Sequence, residues 1–225
     1  MEDLKTIESA QSHSYRGHDN WEPDFVFGYF HGVLRCFVSH CRETAVVGGD
    51  MKVGGTAAMN DDYHYYEILK LRHILPPPPV IELPDGCPTT VADRIGEAAG
   101  LLFVDPSAAG NRIRIAVEEL LTAQKIRRFT HGRKGRLSAH ARIRLFRDKN
   151  DEAAQFLEAV KWIGNDASHD VGLSAEAVID GLELLEHALK LIYNDRSKSL
   201  ARRVKSINRR RTIKSPTSRK SAAPN

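Results

Sequence analysis

The sequence predicts a mostly α fold, α+β overall, in which a small antiparallel β-meander precedes a helical bundle. Aromatic and β-branched runs, typical of strands, occupy the first third of its 225 residues. The run Pro76–Pro79 then interrupts the chain, because proline fits neither a helix interior nor a central strand. Beyond it, the apolar residues follow helical spacing.

Three strands are predicted before the proline run, at 25–36, 44–49 and 63–75. In the last of these, side chains alternate between two faces, as they do in a strand. Residues 1–20 are polar and show no period, so we expect a flexible lead-in ahead of a β-rich region at 21–75. We expect residues 76–87 to form a proline-rich linker, either a stiff spacer or a strip across the helices.

Five helices joined by short connections are predicted within 88–195, and these indicate a bundle. Each helix has a residue suited to its N-terminus. In chain order these residues are Thr89 or Thr90, Asp105, Ser138, Asp151 and Ser174. Gly164 and Asn165 predict the end of the fourth helix. Leu200, Val204 and Ile207 could prolong the last helix into the tail.

The formal net charge of +4 conceals an uneven distribution of charge. Of the 33 Lys and Arg residues, 11 lie in residues 196–225, which contain no Asp or Glu, so the rest of the chain is acidic. We expect this basic tail to be largely disordered. A second basic segment, residues 125–149, contains 10 Lys and Arg against one acid, Asp148.

Two concentrations of positive charge on an acidic body favour contact with a polyanion, RNA or DNA. The alternative is that the charges only solvate a loop and a helix face. The candidate nucleic-acid-binding residues are Lys125, Arg127, Arg128, Arg133, Lys134, Arg136, Arg142, Arg202, Arg203, Arg209, Arg210 and Arg211.

The segment 161–170 places a cation, an amide, acids and a histidine around the predicted helix end. His169 is a candidate general base for a ribose 2′-hydroxyl, with Asn165 and Lys161 as the other candidate catalytic residues. The alternative is that Asn165 and His169 bond to the backbone and fix the interhelical loop. Three further residues are candidates for lining a groove beside this loop: Arg114, Glu118 and Trp162.

Cys36 and Cys41, with His40 between them, could form half of a zinc site. Zinc requires four ligands, and only Cys87 remains as a further cysteine, so an ordinary hairpin with buried thiols is the favoured interpretation. We therefore predict no metal and no cofactor. Three cysteines and no long apolar run predict a cytoplasmic protein without a membrane partner.

Residues 109–120, 137–145, 160–169 and 189–193 resemble the bacterial family called domain of unknown function 4145, an all-helical domain similar to the HEPN superfamily. The Gly164-Asn165-x-x-x-His169 element is the most specific part of this resemblance. Residues 21–75 are similar in texture to the β-rich segment that often precedes the domain. The resemblance implies a helical homodimer, and for many relatives a metal-independent endoribonuclease or a partner in a toxin–antitoxin or defence system.

The ribonuclease motif of HEPN domains has an arginine about five to seven positions before its histidine, and this chain has none there. Upstream of His169 the nearest cation is Lys161. We therefore expect an RNA-binding or regulatory module in a bacterial stress or defence context. The alternatives are an endoribonuclease that uses His169 and a non-catalytic dimeric scaffold for protein interaction.

Overall fold

The computed structural model describes residues 4–57, 63–133, 135–166, 172–193 and 204–209. Its N-terminal part is one antiparallel sheet with strand order β1-β2-β3-β4. The strands are β1 Lys5–Glu8, β2 Phe27–Arg35, β3 Thr44–Ala57 and β4 Tyr63–Leu75. The predicted meander is therefore confirmed, with one strand more than expected and with a longer β3.

The expectation of a flexible lead-in was wrong for the described part of residues 1–20. This segment supplies β1 and a short helix, α1 Ala10–Tyr15, whose N-cap Ser9 side chain accepts a hydrogen bond from the Ser12 amide. The Glu8 carboxylate ties the two elements together by accepting from the Ser12 hydroxyl at 2.8 Å and pairing with Arg16 at 2.6 Å. Edge pairing with β2, rather than an apolar pattern, specifies β1.

The two faces of the sheet differ in burial. Phe30, Val47 and Met51 are buried on one face, which we call the inner sheet face. A register shift between Gly48 and Gly49 bends β3 against β4. A side chain at Gly49 would overlap the Lys70 carbonyl oxygen, so the close approach of the strands here requires glycine. The opposite face, which carries Phe27 and Tyr29, is the outer sheet face.

The proline segment follows β4 and lies across the helical part. Residues 76–88 contain no helix or strand. Ile81 is 9% exposed and belongs to the helical core, while Glu82 pairs with Lys190 at 3.5 Å. The linker is thus a strip against the bundle, one of the two forms expected for it.

Five helices follow, as predicted. Their bounds are α2 Thr89–Leu101, α3 Pro106–Ala123, α4 Ala139–Arg147, α5 Asp151–Asp166 and α6 Ala175–Tyr193. The side chains of Asp105, Ser138 and Ser174 cap α3, α4 and α6, each accepting a hydrogen bond from the amide three residues later.

Two details of the helices differ from prediction. The N-cap position of α2 is Pro88, which makes no side-chain cap. The expected stop at Gly164 and Asn165 was wrong, because α5 continues to Asp166. The predicted start of α5 at Asp151 is confirmed, and the side-chain oxygen of Asn150 caps it by accepting from the Ala153 amide at 3.0 Å.

The helices enclose one apolar core. Its largest fully buried apolar side chains are Leu102, Val117, Leu120, Leu121, Ile143, Phe146, Leu157, Leu182, Leu185 and Leu189. Residues 204–209 of the tail are also helical. Within the described ranges, no helix has the length and apolarity needed to cross a membrane.

Candidate nucleic-acid interface

The basic segment between α3 and α4 folds into a hairpin, residues 127–137, which we call the basic hairpin. Phe129 and Arg136 form an antiparallel bridge. The Leu137 amide donates to the Arg128 carbonyl at 2.9 Å, and the Thr130 amide donates to the Gly135 carbonyl at the same distance. Gly132, with a φ of 72°, turns the chain at the tip. The sequence indicated only that this segment is basic; in the structure, its described residues have a defined hairpin backbone.

Arg142 is buried and bonds to the backbone just before the basic hairpin, so it does not belong to the binding surface. It is 2% exposed, and its guanidinium donates to the carbonyls of Glu118 and Ile126 and to the Thr122 hydroxyl, at 3.0, 3.1 and 2.9 Å. Burial lowers the pKa of this guanidinium, and the Glu118 carboxylate opposes that change. The prediction that Arg142 contacts nucleic acid was wrong, because the side chain is buried and both of its Nη atoms already donate inside the fold.

Several cations of the segment remain exposed. Lys125, Arg128 and Arg144 have no acidic partner among the described residues. Arg127 is also exposed and lies with its Nη1 2.7 Å from the His131 ring. The Lys149 ammonium donates to the carbonyl of Gln124 at 2.6 Å, which leaves its charge uncompensated by any acid in the described part of the chain.

Other cations of the segment are neutralised. Arg136 pairs with Glu118 at 2.7 Å, and Arg147 pairs with Glu158 at the same distance. Arg114 lies four residues before Glu118 on α3, but the Glu118 carboxylate pairs with Arg136 instead. Arg136 is therefore held in an intramolecular pair, unlike Arg127 and Arg128.

Phe129 directly follows Arg127 and Arg128 in the basic hairpin and is 47% exposed. Exposed aromatic rings among arginines are the side chains on which single-stranded bases stack. Sequence reasoning treated the segment only as a charge run and missed this residue. An aromatic side chain inside a run of arginines was the signal that could have found it.

Helix α6, which precedes the basic tail in the sequence, ends at the same end of the bundle. The Gln124 amide, at the C-terminus of α3, donates to the Tyr193 hydroxyl at 3.0 Å, and Tyr193 is the last residue of α6. Arg209 is exposed in the helical stretch 204–209. The remaining predicted nucleic-acid contacts of the tail lie outside the described residues: Arg202, Arg203, Arg210 and Arg211. Lys134 of the basic hairpin also lies outside them. The same holds for the side chain of Arg133.

A described residue that follows the candidate catalytic loop lies at the other end of α3. His169 falls outside the described residues, but the Leu173 amide donates to the Ser107 hydroxyl at 3.2 Å. Ser107 and Gln124 are separated by about 25 Å of helix. Leu173 and the basic hairpin are therefore at opposite ends of α3.

Lys161 and Trp162, next to the loop, form a contact with each other. The Lys161 ammonium lies 3.4 Å from the centre of the Trp162 ring, a cation–π geometry, and Lys161 is only 6% exposed. Trp162 is 56% exposed. Asn165 lies in the last turn of α5.

Cys36 and Cys41 lie in the connection between β2 and β3 as free thiols, and both are exposed, so the expectation of buried thiols was wrong. The Cys36 amide donates to the Glu43 carbonyl at 2.8 Å, which closes the hairpin. Among the described residues, no three His, Cys, Asp or Glu side chains gather in a group that could hold a metal ion.

Comparison with known proteins identifies two matched regions. Residues 1–72 match a domain of unknown function (DUF8608). This region contains β1, β2, β3 and most of β4. Residues 96–210, just over half of the chain, match a domain of unknown function (DUF4145). No curated protein and no solved structure matches. The second match spans the helical bundle with its hairpin, and the chain therefore belongs to the DUF4145 family.

Proposed function

We propose that this protein is a nucleic-acid-binding module that holds RNA on the basic hairpin and the adjoining ends of α3 and α4. Two features of the same segment carry the proposal. The first is the set of exposed cations that have no acidic partner among the described residues, Lys125, Arg127, Arg128 and Arg144, and the second is the exposed ring of Phe129. Arginine and lysine supply the phosphate contacts, and the ring supplies a stacking surface.

The position of the tail supports the proposal. The chain enters its most basic segment from Tyr193, at the end of the bundle that carries the hairpin. A tail with 11 cations and no acids in 196–225 adds to the field that attracts a phosphate backbone. We infer RNA rather than DNA from the likeness of the bundle to HEPN domains, which would also make the protein a homodimer in a bacterial stress or defence system.

Binding without cleavage is the form of the proposal that the site supports best. Lys161, the cation nearest to His169 in the sequence, is buried against Trp162. A cation that stabilises a phosphorane must reach the substrate, and Lys161 has little exposed surface with which to do so. The charged surface that can reach a polyanion is at the other end of α3.

The test is the salt dependence of RNA binding by the full-length protein. Fluorescence anisotropy with a labelled single-stranded RNA is expected to show an association constant that falls steeply between about 50 and 200 mM salt. With four to six phosphate contacts, the logarithmic slope should lie at about −3 to −4. Absence of binding at the lower salt concentration would refute the proposal.

A further inference from the structure

The outer sheet face presents aromatic and basic side chains in register. In one row across the four strands, Ile7 pairs with Tyr29, Tyr29 with Asp50, and Asp50 with Lys70. In the next row, Phe27 pairs with Lys52 and Lys52 with Ile68. Residues paired in this way, and residues two apart along one strand, point to the same face. Tyr29 and Phe27 therefore lie side by side, about 7 Å apart along β2.

Tyr29 and Phe27 both keep ring surface open to solvent. Tyr29 is 62% exposed and Phe27 is 37% exposed. Together with Asp50, Lys52, Ile68 and Lys70 they line a shallow groove of about 720 Å³. An exposed pair of aromatic rings in a groove is unusual for a surface that serves only as solvent contact.

The charge of the groove is positive. Arg72 neutralises Asp50 through a contact of 2.7 Å between Nε and the carboxylate. Lys52 and Lys70, both exposed, have no acidic partner in the described ranges. Glu67 points to the opposite face, where it accepts a hydrogen bond from Thr6 at 3.1 Å. Asp50, the acid that shares the outer sheet face with these lysines, is thus already paired with Arg72, and Glu67 lies on the other face.

We propose that the outer sheet face binds single-stranded nucleic acid, with bases stacked on Tyr29 and Phe27 and phosphates held by Lys52 and Lys70. Stacking requires unpaired bases, because a duplex keeps the faces of its bases inside the helix. A second copy of this chain fits less well, since a twofold interface on this face would bring the same lysines towards each other. This site lies outside the surface assigned to the basic hairpin.

The test compares single-stranded and duplex RNA on the full-length protein. The probes are a labelled oligouridine of about 20 nucleotides and a duplex RNA of equal length, both measured by anisotropy. Tyr29→Ala should weaken binding of the single strand at least about fivefold while changing duplex binding less than about twofold. Lys52→Glu/Lys70→Glu should also weaken binding of the single strand. All three residues are exposed, so these variants should fold, which their unfolding temperatures will verify.

Tyr63→Ala is the matched control, because Tyr63 is 53% exposed and belongs to the opposite face of the sheet. It should leave both affinities unchanged. The proposal is overturned if Tyr29→Ala binds oligouridine as wild type does, or if it weakens single strand and duplex equally. The same experiment distinguishes the two proposed binding surfaces. Loss of binding only in Arg127→Ala/Arg128→Ala would support the basic hairpin alone. Loss only in Tyr29→Ala would support the outer sheet face alone.

Discussion

The buried guanidinium of Arg142 donates a hydrogen bond to the Ile126 carbonyl at 3.1 Å, immediately before the exposed Arg127 and Arg128. One arginine of the basic segment thereby fixes the backbone that displays two others. The cost of burying its charge is offset by three hydrogen bonds to α3 and to the residues that follow it.

Replacing Arg142 should therefore cost stability. Arg142→Ala leaves the Ile126 carbonyl and the Thr122 hydroxyl without this donor and creates a cavity. We expect the free energy of unfolding to fall by about 3 kcal/mol, measured by urea denaturation. Arg144→Ala, two positions away on the exposed side of α4, should change it by less than about 0.5 kcal/mol. Equal effects of the two substitutions would contradict the structural role of Arg142.

The close approach of β3 and β4 gives a second stability prediction. A methyl group at Gly49 would overlap the Lys70 carbonyl oxygen, whereas one at Gly48 would meet only the Phe30 carbonyl oxygen at 3.4 Å. Gly49→Ala should lower the free energy of unfolding by about 2–4 kcal/mol, and Gly48→Ala by less than about 1 kcal/mol. Thermal unfolding followed by circular dichroism tests this, and a Gly49→Ala protein as stable as wild type would disprove the register shift.

The link between β1 and α1 should respond to acid. The hydrogen bond from Arg16 lowers the pKa of Glu8 below its ordinary value of 4.5, and the Ser12 hydroxyl adds to this. The contribution of Glu8 is therefore complete above pH 4.5 and is lost as the pH falls through the lower, folded-state pKa. Glu8→Gln should reduce stability at neutral pH and flatten its acid dependence. The measurement is the free energy of unfolding of the wild type and of Glu8→Gln between about pH 6 and pH 3. An equal fall in both proteins would contradict this prediction.

Cleavage of RNA provides a separate prediction. Because Lys161 is buried against Trp162, we expect RNA to be bound but not cut. Labelled RNA incubated with the wild-type protein in EDTA should stay intact, and His169→Ala should behave identically. Cleavage by wild type that disappears in His169→Ala would instead make the protein a metal-independent ribonuclease.

Local signals made the helical part predictable from the sequence. Asp105, Ser138 and Ser174 each cap the helix that was expected to follow them, because a cap depends on residues within one turn. Gly164 misled, since a single glycine lowers helix stability by only about 1 kcal/mol and packing can outweigh that amount. Such packing is present around α5, where Ile163 lies against Gly181 of α6.

Long-range pairing escaped prediction. The four residues of β1 are a strand only because β2 is beside them. Arg142 has the same residue type as its neighbours in the basic segment, and only the return of α4 against the end of α3 buries it. The rows of the outer sheet face likewise exist only after the strands are in register, so Tyr29 and Lys70, 41 positions apart in the sequence, share a groove that no local pattern indicates.

The most direct test of the central claim, that the basic hairpin is a nucleic-acid interface, compares two double variants of equal charge. Arg127→Ala/Arg128→Ala removes two exposed cations without acidic partners among the described residues, whereas Arg94→Ala/Arg112→Ala removes two that already pair with Glu97. In anisotropy titrations with single-stranded RNA, the first should weaken binding about tenfold and reduce the salt slope by about 1.4, and the second should change the affinity less than about twofold. Equal affinities of the two variants would contradict the account.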